Sequence, residues 1–429
     1  MMISDFASAY AQAYVWVWLP QAQAPVVAGM LSRQGRQLIF NYGRSYLALN
    51  NAVPLYTPEL PLQAGMQPLL PGLDMPSCLR DASPDAWGRR VLINRKFGIG
   101  NGENTELDEL TYLLESGSDR IGALDFQTSP TTYLSRQAEQ TSLADLLTAA
   151  DKVDRGLPLD AELDRALLHG TSLGGARPKV LIEDGGQKYI AKFSGSNDLY
   201  NVVKAEFIAM RLAHKVGLNA APVKLQRALG KDVLLIERFD RVSRDGIWYR
   251  KGMVSALTML ELDEMMAAYA SYEKLAEIVR HRFIEPKSTL RELFGRLVFN
   301  VLCGNTDDHA RNHAAFWDGS NLALTPVYDV CPQSRTGQQA SQAMLIQGRN
   351  RSSQIVTCVD AAGVFLLSRQ DAINIVNQQI EVINREWNKA CDEANLSEVD
   401  RNFFWRRQFL NPYVMLNAPE GVRVLSDSD

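Results

Sequence analysis

Gly304-Asn305-Thr306-Asp307-Asp308-His309-Ala310-Arg311-Asn312, followed after a short stretch by Val327-Tyr328-Asp329, is the part of the chain that decides the reading of its fold. Phosphoryl transfer from ATP needs a carboxylate beside the acceptor hydroxyl and oxygen ligands that hold Mg²⁺ on the phosphates. Asp307 and Asn312, five residues apart in a turn, can supply a base and a metal ligand, and Asp329 a second metal ligand. His313–Trp317 and Asn321–Leu324 read as two short strands around an Asp318-Gly319-Ser320 turn. Such a hairpin returns the chain, so Asp329 can sit near Asp307. The pattern predicts the active-site core of a kinase.

Upstream of this stretch, Ser288 reads as the cap of a helix whose apolar positions Leu290, Leu293, Phe294, Leu297, Val298 and Val301 repeat at helical spacing. That helix stops at Gly304. Downstream, helices are predicted near 370–394 and 398–415. Towards the N-terminus, residues 14–65 are strand-rich, with Tyr14–Leu19, Val26–Leu31, Gln37–Tyr42 and a Pro-punctuated run from Pro54 to Pro61. Ser83-Pro84-Asp85-Ala86-Trp87-Gly88-Arg89-Arg90 opens a helix, with Ser83 as N-cap, Pro84 at the first position and Asp85 against the positive helix end. A polar stretch, Gln127–Gly156, leads into a second unit.

That second unit begins with Gly170-Thr171-Ser172-Leu173-Gly174-Gly175-Ala176-Arg177-Pro178-Lys179, just before a hairpin formed by Val180–Glu183 and Tyr189–Phe193. The glycine-rich stretch matches neither the Walker nor the GxGxxG pattern, so alone it fits a plain turn as well as a phosphate-binding loop. Lys192 is more informative. Strand alternation puts it on the face opposite Tyr189, Ala191 and Phe193. In the helix that follows, about Asn201–Val216, Glu206 shares a stripe with Val202, Ala209 and Ala213, and a carboxylate on an apolar face needs a cation. A strand lysine paired with a helix glutamate is the arrangement that turns a lysine onto ATP phosphates. His309 reads as a structural residue that holds its loop through a hydrogen bond, because the chain's five histidines offer no HxH or HExxH ligand spacing.

Composition is that of an ordinary globular chain: 429 residues, 46% hydrophobic and 22% charged. The length allows two or three domains. A formal charge of −4 gives no global basic signature for nucleic acid. The five cysteines lack CxxC spacing, which argues against a disulfide framework or zinc site and fits a reducing cytoplasm. No apolar run approaches the length of about 18 residues that spans a bilayer, and the N-terminus makes a poor signal peptide.

Taken together, these residues carry a resemblance to the HipA-family serine/threonine kinases, the toxin components of bacterial HipA–HipB toxin–antitoxin pairs. It runs from about residue 14 to 415. It rests on Phe40-Asn41-Tyr42-Gly43, the Ser83–Arg89 motif, Gly174-Gly175-Ala176-Arg177-Pro178-Lys179, Glu237-Arg238-Phe239-Asp240-Arg241, Asn305–Asn312 and Tyr328-Asp329. The resemblance implies Asp307 as catalytic base, Asn312 and Asp329 as Mg²⁺ ligands, and an ATP-binding set of Ser172, Gly174, Gly175, Lys179, Lys192, Glu237 and Phe239, with Glu206 and His309 in support. The backbone from Glu237 to Phe239 would be the hinge that holds adenine. Ser172 corresponds to a serine that family members autophosphorylate, with Thr171 beside it as a second acceptor.

The implied partners are a HipB-like helix-turn-helix antitoxin dimer, through which alone DNA is reached, and a protein substrate of the aminoacyl-tRNA synthetase class; no membrane is involved. The chain departs from the family's Glu-Asp-x-x-Gln segment, having Met253-Val254-Ser255-Ala256-Leu257-Thr258 in its place, so substrate contacts there are not carried over. The expected fold is α+β and two-lobed, protein-kinase-like. It divides into an N-terminal subdomain (1–130), an N-lobe with glycine-rich loop and hinge (131–255) and a helical C-lobe (256–429). A small-molecule or lipid kinase with the same core, and a pseudokinase co-repressor of a DNA-binding antitoxin, are the rival readings.

Overall fold

The computed structural model describes residues 9–97, 106–136, 141–168, 171–172, 175, 177–195, 198, 200–334, 337 and 339–423. The N-terminal part is a four-stranded sheet of β1 (Gln12–Val17), β2 (Val26–Gln34), β3 (Gln37–Tyr42) and β4 (Leu124–Gln127), in the order β3-β2-β1-β4. Period-two alternation in β1 and β3 sends Ala13, Val15, Leu38, Phe40 and Tyr42 into the core. Residues 54–61 are not a strand. Their prolines leave too few donors for a ladder, and only the bridge between Tyr56 and Leu60 forms there.

A second four-stranded antiparallel sheet has the order β5-β6-β8-β7. It contains β5 (Lys179–Asp184), β6 (Gln187–Phe193), β7 (Val223–Ala228) and β8 (Lys231–Glu237). Its outer face packs Val180, Tyr189, Ala191, Phe193, Val233 and Leu235 against the helix Leu143–Asp154. The polar stretch expected at 127–156 thus contains a helix. Its Leu146, Leu147, Ala149, Ala150 and Val153 recur at helical spacing and are buried, although polar neighbours dilute the pattern. Trp87 and Val91, from the helix Ala86–Phe97, complete the same core. The sheet's inner face carries Lys192 towards the helix Val202–Lys215, which Asn201 caps by accepting from the Lys204 amide.

Chain order then gives β9 (Arg241–Arg244), β10 (Ile247–Arg250), β11 (Gly252–Ser255) and a helical region interrupted by β12 (Ala314–Trp317) and β13 (Leu322–Leu324). The sheet β11-β12-β13 contains the hairpin expected around Asp318. The helix Pro286–Leu302 begins at its proline, with Glu285 in the cap position. Ser288 therefore lies inside the first turn, where its hydroxyl donates to the Glu285 carbonyl at 3.1 Å. Gly304 ends this helix at φ +72, and a Cβ there would lie 2.6 Å from the Gln408 carbonyl oxygen. Both the conformation and the space demand glycine. The C-terminal region holds the helices Arg369–Glu393 and Glu398–Phe404, and a separate 3₁₀ turn at Pro412–Met415 in place of a continuous helix to 415. No described helix is long and apolar enough to cross a membrane.

The two sheets are tied through charge. Arg238 and Arg241, which follow β8, both reach Asp119 of the N-terminal part, at 3.0 and 2.7 Å, and both also pair with Asp240, at 2.8 Å each. The Gly122 amide donates to the Asp240 carboxylate at 2.8 Å. All four charged residues are buried. Burial alone would raise the Asp119 pKa, but the two arginines hold it well below the usual carboxylate range. Removing one member strands charge in a dry interior, so Asp119→Asn should lower stability by about 3–5 kcal/mol near neutral pH, read by urea denaturation. A depressed native pKa stabilises fully above the unfolded value of about 4, and that contribution is lost as pH falls towards the native one. The gap between wild type and variant should therefore narrow below about pH 4; a gap independent of pH would exclude this origin.

Candidate active site

A cavity of about 530 Å³ opens between the second sheet, the N-terminal part and the loop 305–312. Its wall includes Gly175, Lys179, Lys192, Glu237, Phe239, His309, Asn312 and Asp329. The structure thus brings most of the expected residues to one space. Glu206 stands behind the wall. Its carboxylate accepts from Lys192 Nζ at 2.6 Å, and Lys192 also donates to Asp329 Oδ1. Burial opposes the Lys192 charge, but Asp329 and Glu206 together hold its pKa above the ordinary value. The same lysine, with Lys179, keeps Asp329 well below the usual carboxylate range against the effect of burial.

Asp329 is held by a short parallel contact between Ala220 and Val327, in which the Ala221 amide donates to the Val327 carbonyl at 2.9 Å. Its own backbone lies in the left-handed region at φ +58, a conformation aspartate tolerates better than most residues. Tyr328 locks the two halves of the site by donating from its hydroxyl to the Arg311 carbonyl at 2.6 Å.

The loop 305–312 is stabilised from within. Asn305 Nδ2 donates to Asn300 Oδ1 at 3.0 Å, and Asn312 Nδ2 donates to the Asp307 carbonyl at 3.1 Å. With its nitrogen so used, the Asn312 side-chain oxygen is left for a cation. Asp329 and Asn312 then offer a carboxylate and an amide oxygen, a donor set that suits Mg²⁺ bound partly by phosphates and water. No group of three or more His, Cys, Asp or Glu side chains fit to hold a metal occurs among the described residues, so phosphate and water oxygens would have to complete the shell. Asp307 is exposed, on the same loop as the cavity-lining His309 and Asn312, though it is not itself part of the wall. Partial desolvation, opposed by His309 and reinforced by Asp329 and Asp308, raises its pKa, which makes it a better proton acceptor.

Three expectations change. His309 does not hold the loop by hydrogen bonding: its Nδ1 is buried with no partner among the described residues. That task falls to His313, whose Nε2 lies 2.8 Å from Asp308 Oδ1 and 3.2 Å from the Tyr272 hydroxyl, while Tyr272 also donates to Asp308. His313 follows the quoted motif directly, and its buried place in β12's lead-in was hidden because the hairpin reading treated it as a strand residue. Ser172 is not on the cavity wall; it is 2% exposed, and its hydroxyl has no partner among the described residues. Thr171 is buried too, accepting from the Gly117 amide at 3.0 Å. The helix begins at Ala86, so Asp85 rather than Ser83 stands directly before it, and the Asp85 carboxylate accepts from the Gly175 amide and from Arg311. Gly174 lies outside the described residues.

Residues 171–387 match the HipA-like C-terminal domain and residues 17–127 the HipA N-terminal domain. The chain belongs to the HipA family. It is 29% identical over 261 residues to a kinase-named protein of Sinorhizobium fredii, covering 53% of this chain and 60% of that one. To the serine/threonine-protein kinase toxin HipA of Shewanella oneidensis it is 25% identical over 187 residues, covering 37% of this chain and 42% of that protein. The matched stretch is thus less than two thirds of either relative's own length. The solved Shewanella oneidensis complex of HipA, HipB and operator DNA contains a chain that superposes with a TM-score of 0.69 at 19% identity, covering 94% of this chain and 97% of that one. This likeness establishes the two-lobed HipA kinase fold, strand-rich at the N-terminus and mainly helical at the C-terminus.

Lys179 gives the site a measurable signature. Burial and the neighbouring Lys192 lower its pKa to about 8. Below that pH it adds a second cation to the phosphate side of the cavity, and above it the charge is lost. Affinity for ATP in the absence of divalent cation should fall as pH rises through about 8, and Lys179→Met should remove the inflection. An inflection unchanged in the variant would assign it elsewhere.

Proposed function

We propose that this chain is an ATP-dependent serine/threonine protein kinase and the toxin of a toxin–antitoxin pair. The observation that carries the reading is Lys192, buried between Glu206 and Asp329 on the wall of a cavity that His309, Arg311 and Asn312 of the neighbouring loop also line. Ion-paired lysine, base and metal-binding oxygens are the parts phosphoryl transfer requires, and this reading assigns them to Lys192, Asp307, Asn312 and Asp329.

In this reading the Glu237–Phe239 backbone holds adenine, and Lys179 and Lys192 meet the phosphates. Asp307 accepts the proton of the substrate hydroxyl as its oxygen attacks the γ-phosphorus and ADP leaves. Asn312 and Asp329 hold Mg²⁺, which when bound neutralises charge on the phosphates. Catalysis rests on positioning and preorganised charge, since the protein forms no covalent bond to the reacting group. The substrate is a translation component such as an aminoacyl-tRNA synthetase, and the chain works in the cytoplasm. Its antitoxin is a HipB-like helix-turn-helix dimer; a net charge of −4 gives the chain little DNA affinity of its own, so DNA is reached through that dimer. The relative solved with HipB and operator DNA supports this partner. Ser172 is the autophosphorylation site, and because it is buried its loop must leave the present position to be modified.

Asp307→Asn should keep nucleotide binding while lowering phosphate transfer from labelled ATP by roughly 10²–10⁴-fold, the range for loss of a general base. Transfer at near wild-type rate would reject Asp307. Asp329→Ala should weaken ATP binding in Mg²⁺ far more than in EDTA, because an oxygen ligand is lost. Equal weakening under both conditions, read by calorimetry, would remove Asp329 from the metal site.

A further inference from the structure

The glycine-rich loop is held from outside its own sheet. Asp85, in the N-terminal part, accepts the Gly175 amide at 2.7 Å through Oδ2 and Arg311 Nη1 at 2.8 Å through Oδ1. Arg311 belongs to the loop that carries Asp307 and Asn312, and it also pairs with Glu264. One carboxylate therefore joins the loop above the phosphates to the loop below them. The residues after Asp85 add to the grip. The Trp87 amide donates to the Gly175 carbonyl at 3.1 Å, and the Trp87 indole donates to the Lys179 carbonyl at 2.9 Å. At Gly88 a Cβ would lie 1.9 Å from the Thr171 carbonyl oxygen, so the two backbones approach as closely as only glycine permits.

We infer that Asp85 is a positioning residue, which sets the spacing between the glycine-rich and catalytic loops and so the path of the nucleotide phosphates. Its charge suits the task. A carboxylate has acceptor capacity for both the amide and the guanidinium, and hydrogen bonds to an ionised acceptor are the strong ones. An asparagine in its place could accept one of the two donors but would turn its NH₂ towards the other. Arg311 balances the negative charge, so Asp85 can face the phosphate side of the cavity without repelling the ligand outright. The position this assigns to the N-terminal part is a structural component of the active site.

The inference rests on the kinase reading only for its kinetic readout, and a second readout is independent of it. In Asp85→Ala and Asp85→Leu, which leave no acceptor, hydrogen exchange at the Gly175 amide should accelerate by roughly 10- to 100-fold, the change expected when a hydrogen bond to a charged acceptor is lost. With labelled ATP, the same variants should raise the KM for ATP and lower kcat together, while thermal unfolding stays near wild type. A double cycle with Arg311→Ala should show the two losses to be non-additive, because one interaction serves both residues. Should Asp85→Ala fail to fold, Asp85→Leu, which keeps the side-chain volume without an acceptor, carries the test. Unchanged Gly175 exchange in the folded variant overturns the inference, whatever the activity. Fast exchange in the variants, together with no phosphate transfer by the wild type, would leave the positioning intact and reject the kinase reading instead. Fast exchange with wild-type KM and kcat would reduce Asp85 to a merely structural contact and overturn it too.

Discussion

A single ammonium group governs how this molecule is put together. Lys192 lies on the inner face of a sheet, 7% exposed, where an isolated charge could not be tolerated. Its partners come from elsewhere in the chain, Glu206 from the helix that follows and Asp329 from a segment beyond the hairpin. Sheet, helix and loop must meet at this point or leave a charge stranded. The stabilisation such a group adds is modest, because desolvating three charges consumes most of what their attraction returns. What it provides is register: only one relative placement of the three segments satisfies it. That placement also closes one side of the cavity, so the condition for burying Lys192 and the condition for assembling the site coincide.

The same principle recurs at the hinge. Arg238 and Arg241 are buried with Asp119 and Asp240, and the first of these carboxylates comes from the N-terminal part. The hydrophobic core is continuous across this boundary, running from Val15 and Phe40 to Leu297 and Ile380. Apolar burial, being non-directional, brings the parts together. The paired charges then fix their orientation, since each guanidinium fork donates to carboxylates only along defined directions. The backbone between β8 and Arg241 is fixed along with them, and Glu237 and Phe239 of that segment line the same cavity as Lys192.

How far all this could be read from the chain depends on the range of the interaction. The Lys192–Glu206 pair was legible because strand and helix periodicity put each residue on a known face, and a carboxylate in an apolar stripe announces a missing cation. The closeness of Asn312 and Asp329, which line one cavity, was legible because they lie along one short stretch with a readable hairpin in it. Asp85 was misread for the opposite reason. Local rules offered it a satisfactory partner in its own helix end, and nothing nearby in sequence signals that Gly175 and Arg311 lie within reach. His309 and His313 were exchanged in the same way: which of two neighbouring histidines meets Tyr272 depends on the helix Tyr272–Arg282, some forty residues earlier. The helix Leu143–Asp154 was missed because its apolar face is broken by polar neighbours and the sheet it packs on follows it in the chain.

These contacts bear on how a site so enclosed could be regulated. Ser172 sits against the very backbone that Gly88 admits, buried, with its hydroxyl unpaired among the described residues. A buried hydroxyl without a partner is costly, so the loop's position is maintained against that cost by the bonds at Asp85 and Trp87. Phosphate on Ser172 would bring about −1.5 to −2 charges to a residue that is buried here. The modified loop could not return to the same bonds, and Gly175 and Lys179, which depend on them, would leave the nucleotide site. The bonds at Asp85 and Trp87 that hold Gly175 and Lys179 are the ones such a modification would strain.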